Sequence, residues 1–172
     1  RMHKSKGIDL LIKAYSYLVR KMKYKNAILV MVGPDDGYLR CAISLAKSLD
    51  VINSIIFTGF LSAKDKLSAL VDAKLFVTPS FYGFPMTFLE ACAVGKPIIT
   101  TTLGDYLEWI NENVGYVISP NPSSIANSIY KMLTDNYLYR KFSQNCRKII
   151  ESEFSIEKVV SKLEKVYCML YS

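Results

Sequence analysis

Histidine is nearly absent: His3 is the single one in 172 residues. That scarcity excludes a histidine-built metal cluster and a self-contained Ser-His-Asp triad. Long hydrophobic runs are missing as well, since no stretch approaches the roughly 20 apolar residues that a membrane-spanning helix requires. The opening RMHKSKGIDLLIKAY interrupts its apolar residues with Asp9 and Lys13, unlike the core of a signal peptide. Cysteine occurs four times, at Cys41, Cys92, Cys146 and Cys168, without a CxxC spacing. Each lies in an apolar helical stretch, where a thiol is expected as a small buried hydrophobe in a reducing, cytoplasmic compartment. No zinc-finger spacing and no aromatic-basic RNA-binding signature occurs, which argues against nucleic acid as partner. There is no internal repeat, linker or low-complexity segment.

What remains is an ordinary globular composition, 51% hydrophobic and 22% charged, of a length expected to fold as a single domain over residues 1–172. The net charge of +7 suits an anionic partner, either a phosphate-bearing ligand or the surface of an anionic membrane, and equally suits a lysine-rich solvated face.

Two periodicities alternate along the chain. Leu11, Ala14, Tyr15, Leu18, Val19 and Met22 follow helical spacing. Ala27 to Val32 is a continuous apolar run closed by Gly33-Pro34-Asp35-Asp36-Gly37, which reads as a buried strand and its turn. A helix through Leu39, Ile43, Ala46 and Leu49 leads to a strand over Ile55 to Thr58, stopped by Gly59. Ser62, with Asp65 three residues on, has the form of a capping box ahead of Leu67, Leu70 and Val71. Further strands are expected over Leu75 to Pro79, Pro97 to Thr100 and Gly115 to Ile118, with a helix from about Thr87 to Gly95. Asn121-Pro122, Leu138 and Ser155 then begin three successive helices without strands between them. Short apolar strands alternating with amphipathic helices predict a Rossmann-like α/β fold: a doubly wound parallel sheet in an α/β/α sandwich, with extra C-terminal helices. Ligands of such folds sit in the crevice at the strand C-termini.

Pro79 to Thr100 is the richest stretch at that edge. The unpaired amides around Phe84 to Thr87, at a helix entry, could cradle phosphate. Glu90, one turn in, could accept hydrogen bonds from a ribose diol, or simply complement the helix dipole. Arg1 and Lys6, flanking a loop that ends in Gly7, could grip a diphosphate, or be solvated terminal charges. Asp35-Asp36 is read as a turn rather than a metal site, Ser80 as a turn hydroxyl, and Glu108 either as facing the donor or equally as a helix-start carboxylate. Tyr15, Tyr17, Tyr24 and Tyr38 are read as rim and core packing.

KGIDLLIKAY, LVMVGPDDG, IIFTGFL, LFVTPS, GFPMTFLEACAVGKPIIT, GYVI and FSIEKVVSKLEKVY, in this order and spacing, resemble the C-terminal domain of GT-B glycosyltransferases. The likeness is greatest to the large retaining family 4, the glycosyl transferases group 1 domain, and extends over essentially the whole chain. It implies a nucleoside-diphosphate sugar as substrate, no other cofactor, and no metal. It implies that Arg1 and Lys6, of the R-x4-K-G segment, hold the donor diphosphate and carry the catalytic charge. It implies that Gly59, Phe60 and Leu61 pack on the base, that Gly83, Phe84, Pro85, Met86 and Thr87 line the diphosphate and sugar, and that Glu90 holds the ribose. The acceptor-binding N-terminal domain, and a first strand directly before Arg1, are implied as the rest of the same protein. One departure stands out: the first glutamate of the E-x7-E motif is replaced by Tyr82, and P-S-F-Y-G-F is one residue shorter than the P-S-x-x-E-G-F of the family. Alternatives are a sugar-nucleotide-binding module without transfer and a GT-B sugar-nucleotide epimerase. Peripheral docking on an anionic membrane, presenting lipid-linked acceptors, is compatible with transferase activity.

Overall fold

A computed structural model describes residues 1–81, 86–104 and 108–170. In chain order its elements are α1 (Ile8–Ser16), β1 (Leu29–Val32), α2 (Leu39–Ser48), β2 (Ile55–Gly59), α3 (Ala63–Asp72) and β3 (Phe76–Phe81). There follow α4 (Met86–Ala93), β4 (Ile98–Gly104), β5 (Gly115–Ile118), α5 (Pro122–Thr134), α6 (Asn136–Ile149) and α7 (Ile156–Leu170). Both α1 and α6 run on into a widened π turn, Tyr17–Lys21 and Ile150–Phe154.

Local chemistry sets the helix ends. Asn121 accepts from the Ser124 N–H at 2.8 Å and Pro122 stands in the first turn, so α5 begins with its free amides answered. Ser62 forms the expected box at the start of α3, its Oγ accepting from the Asp65 N–H at 3.1 Å and donating to the Asp65 carboxylate at 2.7 Å. Asp135 caps α6 through the Leu138 N–H at 2.9 Å, a cap the sequence pattern did not single out. At the far end of α4 the Gly95 N–H reaches the Cys92 carbonyl and the Lys96 N–H reaches the Ala91 carbonyl, both at 2.8 Å; together they close the helix as a Schellman turn.

All strand pairings are parallel, as the α/β alternation requires, but they form two ladders, β1-β2 and β3-β4-β5. In the three-stranded ladder, successive residues of β4 face opposite layers. Ile99 packs into a core with Ile12 and Leu18 of the first helical region and Ile125 and Met132 of α5, all essentially inaccessible. Ile98 faces the other way, against Phe88 and Cys92 of α4 and Cys146 of α6. That ladder is thus covered on both faces, the α/β/α arrangement expected.

The β1-β2 ladder departs from expectation. Met31 is buried, but Val30 is 47% exposed and Val32 37%, so the apolar run is not a buried strand throughout. Across the ladder Ile56 is 50% exposed, and on α3 only Leu70 of the expected apolar face is buried, Leu67 and Val71 remaining half-exposed. Hydrophobicity set the strand, but burial needs a neighbour on each face, and among the described residues only one face of β1-β2 is covered. The cysteines divide similarly: Cys92 and Cys146 are buried, whereas Cys41 and Cys168 are exposed on the outer sides of their helices, and all four are free thiols. The hydrogen bond with Cys92, and then burial, push the Cys146 thiol strongly up, as for an inert packing residue. Ser80 is not in a turn; it is buried within β3. Glu108 is exposed in a turn and starts no helix. Tyr15 is core, Tyr17 is at the rim, and Tyr24 meets Tyr130 edge-on at 5.7 Å. No described helix is long and apolar enough to cross a membrane.

Candidate functional site at the strand C-termini

Because every ladder is parallel, the loops leaving β1, β2 and β3 gather at one edge. The ladders are irregular just there. Register shifts between Met31 and Val32 in β1 and between Thr78 and Ser80 in β3. Pro79 has no N–H to give, and the hydroxyls of Thr100 and Thr101 repair the interruption by donating to the Thr78 and Pro79 carbonyls.

The N-terminal segment lies across this edge and joins the two ladders. The Met2 N–H donates to the Pro34 carbonyl at 2.8 Å, and the Asp36 N–H donates to the Met2 carbonyl at 3.1 Å, fixing the segment beside the turn after β1. Gly33 approaches so closely that a Cβ there would lie 2.7 Å from the Arg1 nitrogen. Further along the segment, Gly7 rests against β3: a Cβ there would stand 2.9 Å from that of Pro79. A short 3-10 turn, Lys4–Lys6, fills the interval, with the His3 ring nitrogen Nδ1 accepting from the Ser5 N–H. Gly7 can end that turn and open α1 because it adopts a left-handed φ of +66°. Arg1 and Lys6 are therefore held between the ends of β1 and β3.

The turn after β2 joins the same edge, the Gly33 N–H donating to the Gly59 carbonyl at 2.9 Å. Beyond it Phe60 is 76% exposed and Leu61 half-buried, leaving an open apolar shelf. On the other side α4 begins with Met86 and Thr87 exposed. Gly83, Phe84 and Pro85, expected at the helix entry, and Tyr82, at the departing motif position, lie outside the described residues. Glu90 is one turn into α4 and half-buried. Its Oε1 accepts from Lys66 Nζ of α3 at 2.7 Å, while Oε2 is buried without a hydrogen-bond partner among the described residues.

The acid pair after β1 has settled roles. Asp35 Oδ1 accepts from the Tyr38 and Leu39 N–H groups at 3.1 and 3.0 Å and so caps α2, and Asp36 pairs with Arg1 at 3.3 Å on the surface. No described group of three or more His, Cys, Asp or Glu side chains could hold a metal ion. Two partners in this site were invisible to sequence reasoning, Lys66 on Glu90 and Asp36 on Arg1. Both join residues far apart in the chain, and no local pattern links them.

Residues 1–149 match the family described as glycosyl transferases group 1, and the chain belongs to it. It is similar to the N-acetyl-alpha-D-glucosaminyl L-malate synthase of Bacillus anthracis, 29% identical over 95% of this chain and 42% of that protein. Among solved structures it is similar to the C-terminal domain of a glycosyl transferase group 1 family protein, LpcC, from Francisella tularensis. That likeness has a TM-score of 0.76 and 27% identity, covering 91% of this chain and 83% of the other. The fold is shared with Anabaena HepE, solved in complex with UDP, at a TM-score of 0.85 and 19% identity over 98% of this chain and 47% of that one. The chain spans less than half the length of the curated relatives it matches.

Proposed function

We propose that this chain is the donor-binding half of a retaining glycosyltransferase that moves a sugar from a nucleoside-diphosphate sugar to an acceptor. The observation that carries the reading is the bridging of the two ladders by residues 1–7: Arg1 against Gly33 and Gly7 against Pro79 bring two cations to the strand ends that Glu90 also follows. The base would lie on the Gly59 to Leu61 shelf and the ribose on Glu90. The diphosphate would run between Arg1, Lys6 and the residues entering α4.

As the bond to the sugar breaks, negative charge grows on the departing diphosphate. Lys6, carried on the turn seated against β3, and Arg1, once released from Asp36, would stabilise that charge, the role a divalent metal plays elsewhere. Lys6 is half-buried, so its field is screened less than that of a surface lysine. Arg1 must exchange Asp36 for phosphate, an exposed pair worth little to keep. The acceptor would come from an N-terminal domain of the same protein and attack on the face the leaving group vacates, which retains configuration. A strand directly before Arg1 would pair between the two ladders and join them into one sheet.

Uridine diphosphate sugars are the first donors to try, because HepE is solved with UDP. Calorimetric titration of UDP-, GDP- and ADP-sugars into the complete protein tests the reading. Binding that falls at least tenfold on Lys6→Ala and Glu90→Ala supports it; unchanged binding in both rejects it. Tyr82 in place of the family glutamate favours a second reading, a binding module without transfer, which any sugar transfer by the complete protein would exclude.

A further inference from the structure

We infer that Lys66 is a positioning residue of the nucleotide site, holding the Glu90 carboxylate in the orientation that accepts a ribose diol. The inference rests on the donor-site reading above and adds to it a residue of α3 that no motif marks.

The geometry is specific. Lys66 stands one turn into α3, directly after the Phe60–Leu61 shelf, and crosses to Glu90 on α4 with Nζ 2.7 Å from Oε1. Both side chains are about a third exposed, so the pair sits at the mouth of the crevice, not in the core. Oε2 is shut away from solvent and has no hydrogen-bond partner among the described residues. A buried carboxylate oxygen without a donor is unfavourable, and a ligand hydroxyl that displaced the groups covering Oε2 and donated to it would remove that penalty. Fixing Oε1 on the ammonium prevents the carboxylate from swinging out to water to satisfy itself. The same bond ties the helix after the base shelf to the helix after β3, so base and ribose contacts are set at one spacing.

The expected consequence is coupling between Lys66 and the ligand's diol. In the intact protein, affinity is measured for the tightest of UDP, GDP and ADP and for its 2′,3′-dideoxy analogue, with Lys66→Met, Lys66→Arg and Glu90→Gln. Lys66→Met keeps the apolar stem, and thermal unfolding checks that each variant is folded. Lys66→Met should weaken the ribonucleotide five- to fiftyfold yet change the dideoxy analogue less than twofold, and Lys66→Arg should recover most of the loss. An equal loss for both nucleotides, or none, overturns the role of Lys66 while leaving the donor site standing if Glu90→Gln still weakens the ribonucleotide. Unchanged binding in Glu90→Gln overturns the donor-site reading itself, and the inference with it.

Discussion

Gly7 and Pro79 are in contact through backbone and ring: a Cβ on the glycine would stand 2.9 Å from the Cβ of the proline, at a φ of +66°. The contact presses the cationic N-terminal segment onto the end of β3, and it uses a residue with no side chain at a conformation that side chains avoid.

Gly7→Ala should therefore cost about 1–3 kcal/mol of stability, from left-handed strain together with the clash against Pro79. The displaced turn would carry Lys6 with it, so donor affinity should fall even where the variant remains folded. Chemical denaturation alongside nucleotide titration checks both. Unaltered stability would mean that the segment is free to lift away from β3.

Phe88 is fully buried beneath β3-β4-β5, with Phe76 edge-on at 5.9 Å, whereas Val30 is 47% exposed. Phe88→Ala should cost about 3–5 kcal/mol, the range for emptying an aromatic site in a packed core. Val30→Ala should cost about 1 kcal/mol or less in this chain, because little apolar area returns to water. If the rest of the complete protein covers the open face of β1, the Val30 penalty should be larger there. Comparing unfolding of the two lengths measures that difference.

Tyr15 shares its single hydroxyl proton between the Ala27 carbonyl at 2.7 Å and the Ser54 carbonyl at 3.0 Å, fastening α1 to the starts of β1 and β2. Burial raises its phenol pKa above the ordinary 10.0, opposed by hydrogen bonding from the Ser54 side chain and the Leu29 backbone. The stability this raised pKa provides is complete below pH 10. It is lost as pH rises toward the folded-state value, because the unfolded chain releases a proton that the folded chain keeps. Tyr15→Phe should cost about 1–2 kcal/mol at neutral pH by stranding two carbonyls. It should also show a shallower decline above pH 10 in urea unfolding; identical slopes would remove Tyr15 as the cause.

Asp35 is a helix cap in this structure, so Asp35→Ala should cost about 1 kcal/mol of stability and leave donor affinity within twofold. EDTA should likewise leave affinity unchanged if Arg1 and Lys6 meet the diphosphate. A large fall in affinity under both treatments would return the Asp35-Asp36 pair to consideration as a cation site.

Sequence and tertiary structure contributed different things. Caps at Ser62 and Asn121, the stop at Gly95 and the strand over Gly115–Ile118 were all legible, because they depend on residues within a turn of one another. The alternation of strand and helix was legible for the same reason, and parallel pairing follows from it. From that came the edge where Arg1, Lys6, Gly59 and Glu90 were expected. What could not be read was which apolar residues would be covered. Val30 and Met31 are chemically alike and adjacent, yet one faces solvent and the other the core, since alternate residues of a strand face opposite ways and only one of those faces has a neighbour. Nor could the ion pairs Lys66–Glu90 and Arg1–Asp36 be foreseen. Sequence patterns record short-range backbone preference, whereas a charge finds its partner through the packing of whole elements, and only the folded chain sets that distance.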